Sequence, residues 1–168
     1  MALSQADFNR LVADHGPALY RLAYRLIGDR VEAEDIVQET YRSAWKSRAR
    51  YEPNRGDRAY LATILRRRVA DAYRKRPVRL VLSGDSSPDV ESAGPSPDLE
   101  GYSDEMQRAL NKLPTELKET LLLVIVGELT HQEAATVLDV PIGTVLSRVS
   151  RARGRLREYL TAETAKPL

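Results

Sequence analysis

The chain has 168 residues and a mass of 18.9 kDa, of which 42% are hydrophobic and 30% charged; it can bury one modest core or two small ones, which argues against a large single-domain enzyme. It contains no cysteine, which removes disulfides, thiolate metal sites and cysteine nucleophiles and points to an intracellular protein, and its two histidines, His15 and His131, leave little for zinc. The formal charge of +2 hides two basic poles around an acidic middle, a distribution suited to a polyanion: residues 1–76 hold 16 Lys/Arg against 10 Asp/Glu, 77–103 one against five, 104–140 three against seven, and 141–168 six against two.

Residues 1–14 carry Asp7, Arg10 and Asp14 and no apolar segment of the kind a signal peptide needs. The longest apolar run, residues 121–126, is far short of the roughly 20 residues of a membrane span. A soluble, cytoplasmic protein without membrane insertion is expected. Apolar residues recur at three and four, and no alternating run is bounded by hairpin signals, so the expected fold is all-α. Phe8, Leu11 and Val12 predict a short first helix that stops at Gly16-Pro17, and Pro17 suits the opening turn of a second, carrying Leu19, Leu22, Ala23, Leu26 and Ile27, with Gly28 as its stop. Asp29 followed by Glu32 is a capping-box variant that opens a third helix to about Ala49. Its apolar stripe is Ile36, Val37, Thr40 and Ala44; Asp35, Gln38, Glu39 and Arg42 lie opposite. After a loop over residues 51–56 containing Pro53 and Gly56, Asp57 can cap a fourth helix, which Pro77 ends. There Leu61, Ile64, Leu65, Val69 and Ala72 point inward, and Thr63, Arg66, Arg67, Ala70 and Arg74 outward.

Residues 77–103 hold four of the nine prolines, three of the nine glycines and six serines, and read as a flexible acidic linker between two domains, 1–76 and 104–168. In the second domain, helices are predicted over 104–113 and 114–127. Thr130 with Glu133 forms a full capping box opening a short helix to Leu138; Asp139-Val140-Pro141 turns the chain into a long helix over 142–159. A short helix, a tight turn and a second, basic helix make a helix-turn-helix, whose second helix enters the major groove.

At 100° per residue, Val145, Val149, Ala152, Leu156 and Leu160 of the last helix form the packing stripe. Ser147, Ser150 and Arg151 lie opposite, flanked by Thr144, Arg148 and Arg155 on one side and Leu146, Arg153 and Arg157 on the other. Arginine forks onto guanine or phosphate and serine bonds either, so this face can position and read a duplex; no carboxylate interrupts the five arginines of residues 148–157. In the first domain, Arg66, Arg67 and Arg74 step up one helix face beside Tyr51, Arg55 and Arg58, a combination that can hold a strand by its phosphates and stack an unpaired base, although a plain solvated face has the same pattern. The acidic face of the third helix is either solvated or a docking surface. A di-iron site needs inward acids with histidines, and neither is present there; no cofactor, metal site or catalytic fingerprint is expected, and none of the residues is assigned a catalytic role.

Three stretches, residues 32–45 (EAEDIVQETYRSAW), 50–68 (RYEPNRGDRAYLATILRRR) and 129–156 (LTHQEAATVLDVPIGTVLSRVSRARGRL), resemble the sigma-70 family of RNA polymerase sigma factors, and within it the small two-domain extracytoplasmic-function (ECF) group. The resemblance implies that residues 1–76 form a four-helix region 2-like domain that recognises and melts the minus-10 element. Residues 104–168 would form a region 4-like domain that binds the minus-35 element. It places core-polymerase docking, on the beta-prime clamp helices, at Asp35, Gln38 and Glu39 with Arg42, and adds contact with the beta flap. It places minus-10 contacts at Tyr51, Arg55, Arg58, Arg66, Arg67 and Arg74, and minus-35 contacts at Leu146, Ser147, Ser150 and Arg151 with Thr144, Arg148 and Arg155. It also implies an anti-sigma partner covering both domains.

The chain departs from the family pattern at Leu146, where Lys or Arg is frequent, at Arg67 (often Asn), at Tyr60 (often Trp) and at Asp139 (often Gly). These changes bear on promoter sequence, not on class. Two other functions fit parts of the pattern. An autonomous, dimeric helix-turn-helix regulator gives no role to the acidic third-helix face, and a helical-bundle enzyme would need Asp35 and Glu39 as metal ligands.

Overall fold

The computed structural model describes residues 3–53, 56–75 and 104–164. Every regular element among them is helical: α1 (Gln5–Ile27), α2 (Arg30–Lys46), a 3₁₀ turn (Arg48–Arg50), α3 (Asp57–Lys75), α4 (Asp104–Lys112), α5 (Thr115–Ile125), α6 (His131–Leu138) and α7 (Ile142–Thr164).

The expected break at Gly16-Pro17 does not occur. α1 runs through Pro17, so the described residues of the first domain hold three α-helices and not four. An interior proline costs about 3 kcal/mol, but Leu11 on one side and Leu19, Leu22, Ala23 and Ile27 on the other are all buried against the same core, which holds the two halves in line. Gly16 serves that packing: a Cβ there would lie 2.9 Å from the Tyr41 hydroxyl of α2.

The other boundaries follow local chemistry. Ser4 caps α1 by accepting from the Asp7 amide at 3.1 Å, and Gly28 ends it at φ 79°. Asp29 Oδ1 accepts from the Glu32 amide at 2.8 Å. α2 stops at Lys46, earlier than Ala49, and α7 extends to Thr164, beyond Tyr159. Thr130 and Glu133 form the reciprocal capping box, each bond 3.0 Å. Asp139 takes the left-handed turn position at φ 55°, which a short polar side chain tolerates. Asp57 is not the cap of α3 but its first residue; its carboxylate accepts from the Tyr51 hydroxyl and lies 3.7 Å from His15 Nε2.

The two groups of helices share one core. α1, α2 and α3 pack on one another, α7 packs on α4, α5 and α6, and the groups meet where α3 lies on α6 and α1 on α5. Leu22, Leu61, Leu65, Leu110, Leu122, Leu123 and Val145 are fully buried in the resulting cluster. Two threonines are buried with them. Thr40 donates to the Ile36 carbonyl and Thr120 to the Glu116 carbonyl, both at 2.7 Å, so neither hydroxyl is left unsatisfied. Arg25, also buried, donates across the seam to Gln107 Oε1 at 2.7 Å.

Candidate nucleic-acid interface

α7 is held by Val145, Val149 and Ala152, all buried, with Leu156 and Leu160 half-buried at the edge. That anchoring turns Ser147, Ser150, Arg151, Arg153, Arg155 and Arg157 to solvent and leaves Thr144 half-buried. α6 lies across α7 as the first helix of the pair, and the Thr144 amide donates to the Pro141 carbonyl at 2.9 Å to start the second. Arg148 departs from the expected outward flank. Its side chain is 17% exposed, and Nη2 lies 3.6 Å from Glu116 Oε2 on α5. Leu146, by contrast, is 49% exposed, and Ile142 one turn before it 43%.

On α2, Ile36, Val37, Thr40 and Ala44 are buried and Asp35, Gln38, Glu39 and Arg42 are all exposed, as the spacing predicts. Glu39 and Arg42 form an ion pair on that face. On α3, Leu61, Leu65 and Val69 are buried, Arg66, Arg67, Ala70 and Arg74 exposed, and Arg74 pairs with Asp71.

The predicted strand-binding residues around the loop are brought together, but not left open. Tyr51 packs edge-to-face on Tyr60 with ring centroids 5.2 Å apart, and its hydroxyl donates to Asp57. Burial first, then that carboxylate, push the hydroxyl from its ordinary pKa of 10.0 up to about 12. Tyr60 donates to the Ala44 carbonyl at 2.8 Å, tying α3 to α2. Arg58 donates to the Glu128 carbonyl at 3.1 Å, lies 3.5 Å from the Glu128 carboxylate, and reaches His15 Nδ1 at 3.4 Å. Arg66 pairs with Glu119. Arg55 and the 77–103 linker lie outside the described residues.

Three acids that the sequence does not single out, Glu116, Glu119 and Glu128, therefore sit on three of the candidate DNA-binding arginines. Nothing local signals these pairs: Arg58 and Glu128 are 70 residues apart in the chain, Arg66 and Glu119 53. His15 is drawn into the same seam. No group of three or more His, Cys, Asp or Glu among the described residues could hold a metal, and no described helix is long and apolar enough to cross a membrane.

Comparison with known proteins bears directly on this arrangement. The family model for sigma-70 region 2 matches residues 11–77 and that for sigma-70 region 4 matches residues 103–156. The RNA polymerase sigma factor CnrH of Cupriavidus metallidurans is 33% identical over 97% of this chain and 91% of its own. The ECF RNA polymerase sigma factor SigE of Mycolicibacterium smegmatis is also 33% identical over 95% of this chain, which spans 65% of that longer relative. Among solved structures, the sigma factor RpoE of Bartonella quintana, in complex with the anti-sigma factor NepR, is 34% identical with a TM-score of 0.75, covering 92% of this chain and 97% of that one. With both regions present in family order and the relatives aligned across nearly the whole chain, the protein belongs to the sigma-70 family of RNA polymerase sigma factors, in its extracytoplasmic-function group.

Proposed function

We propose that this chain works in the cytoplasm as a promoter-specificity subunit: it binds bacterial core RNA polymerase, directs it to a two-part promoter and helps open the duplex there. The family is not an enzyme family; the polymerase carries out the chemistry. Core polymerase docks on Asp35, Gln38, Glu39 and Arg42, whose side chains share the exposed face of α2. Arg66, Arg67 and Arg74 on α3, with Tyr51, Arg55 and Arg58, take the minus-10 strand by its phosphates and unpaired bases. α7 takes the minus-35 duplex through Thr144, Leu146, Ser147, Arg148, Ser150, Arg151 and Arg155. The observation that carries the reading is that one chain places a basic helix-turn-helix and a separate, carboxylate-bearing α2 face behind the same core.

Arg58 and Arg66 are ion-paired to Glu128 and Glu119 in this packing, so minus-10 DNA has to displace those carboxylates, and the α3–α6 seam parts as it does. An anti-sigma partner like the one in the RpoE complex would act by holding the two helix groups together.

The test is run-off transcription by purified core polymerase on a pool of upstream fragments. Discrete start sites that require this protein, and that vanish with Asp35→Ala/Glu39→Ala, are the expected result. Binding of duplex DNA by the protein alone, with no start sites, would refute it.

A further inference from the structure

α7 begins with an apolar patch that its core does not use. Of the large hydrophobic side chains that remain exposed among the described residues, Ile142 and Leu146 stand one turn apart at the start of this helix, 43% and 49% exposed. Residues four apart on a helix are neighbours, with Cβ atoms roughly 5–6 Å apart. Val145, Val149 and Ala152 already fill the contact with the domain, and among the described residues nothing buries Ile142 or Leu146.

Continuing around the helix at about 100° per residue, the line through Ile142 and Leu146 runs on to Ser150, Arg153 and Arg157, all exposed. One edge of the helix is thus apolar at its start and hydroxylic and cationic beyond. The second helix of a helix-turn-helix presents its N-terminal residues to base edges. Arginines farther along it reach phosphates as well as bases. The only apolar group that base edges present in the major groove of unmodified DNA is the thymine C5-methyl. Arginine or lysine at position 146 would instead favour guanine O6 and N7.

We infer that Leu146, supported by Ile142, is a specificity-determining residue that reads a thymine methyl in the upstream promoter element. The inference rests on the sigma-factor reading above. It adds a chemical prediction: the upstream element contains a thymine whose methyl group, and not its hydrogen-bonding edge, is recognised.

Replacing thymine by deoxyuridine removes that methyl and leaves every donor and acceptor of the base in place. Holoenzyme assembled from core polymerase and the full chain is titrated onto a promoter fragment recovered from the run-off assay, with each upstream thymine replaced in turn. One methyl buried against leucine corresponds to about fourfold in affinity, so the parent protein should weaken about fourfold at one position. Leu146→Ala should bind the thymine promoter about as weakly as the parent binds the uracil one, and should no longer distinguish the two. Ile142→Ala should reduce the discrimination in part. Both side chains are exposed, so both variants should keep the parent's thermal midpoint.

Equal binding of thymine and uracil at every upstream position would overturn the inference while leaving the sigma-factor function intact. So would an upstream element without thymine, or discrimination that survives in Leu146→Ala. A chain that gives no polymerase-dependent start sites fails earlier, on the function itself, and takes this inference with it.

Discussion

Gly127 offers a test of how tightly the two helix groups are joined. It follows the end of α5, where its amide donates to the Leu122 carbonyl at 2.9 Å. A Cβ added there would lie 2.7 Å from the Leu123 carbonyl oxygen, 3.1 Å from Leu129 Cδ1 and 3.2 Å from Leu22 Cδ2 of α1. The first contact is with backbone and cannot be relieved by a rotamer change. The Leu123 carbonyl also accepts from the Leu129 amide at 3.2 Å, so moving it costs that bond as well. Overpacking of this kind costs about 1–3 kcal/mol and the hydrogen bond about 1 kcal/mol, so Gly127→Ala should destabilise by about 2–4 kcal/mol. At about 2–4 °C per kcal/mol for a chain of this size, the midpoint falls by roughly 5–15 °C. Gly154→Ala is the internal control. Gly154 lies inside α7, and a methyl group added there would meet nothing within 4 Å, so alanine should stabilise the helix by about 0.5–1 kcal/mol. Calorimetry of the parent and both variants reads the two signs. Because the displaced contact includes Leu22, amide exchange in α1 should accelerate in Gly127→Ala and stay unchanged in Gly154→Ala. A Gly127→Ala protein that melts with the parent would refute the close packing at the end of α5, and unchanged exchange in α1 would refute the approach of α5 to α1.

Glu119→Gln/Glu128→Gln should release Arg66 and Arg58 while removing two partly exposed pairs worth together about 1 kcal/mol or less; small-angle scattering should show a larger radius and single-stranded minus-10 DNA should bind more tightly, whereas weaker DNA binding would contradict competition between these carboxylates and DNA. The Tyr51 hydroxyl holds its proton more firmly in the fold than in the unfolded chain, so its contribution to stability is complete below pH 10 and is lost as pH rises towards about 12. Tyr51→Phe should flatten that part of the stability profile in chemical denaturation, and an unchanged slope would count against the Asp57 pairing. Thr130→Ala should cost about 1 kcal/mol by opening the capping box, while Asp139→Gly, at φ 55°, should gain up to about 1 kcal/mol by relieving the left-handed strain; urea midpoints moving in the same direction for both would refute the assigned turn geometry.

Helix identity and the faces of α2 and α7 were legible from spacing, because burial on one side of a 3.6-residue repeat leaves a periodic record that no distant contact can erase. The capping box at Thr130 was legible for the same reason: donor and acceptor lie three residues apart. At Gly16-Pro17 local propensity predicts a break, and packing on both sides of the proline overrides it. Outward-facing arginines on α3 could be assigned to a face but not to a partner. Whether Arg66 meets solvent, phosphate or Glu119 depends on where α5, which carries Glu119, comes to lie beside α3, and Arg148 is turned toward Glu116 by the same helix.

By itself, the sequence determined the all-helical class, the inward stripes of each domain, the helix-turn-helix and the resemblance to sigma factors, since all of these rest on side chains a few residues apart or on motifs read in order. Only the tertiary structure decided that α1 is unbroken, that the two helix groups share one core, and that acids of the second group neutralise Arg58 and Arg66 of the first. The two ion pairs join residues 53 and 70 positions apart, and all three outcomes depend on surfaces whose mutual fit is set by shape and burial and leaves no local pattern to read.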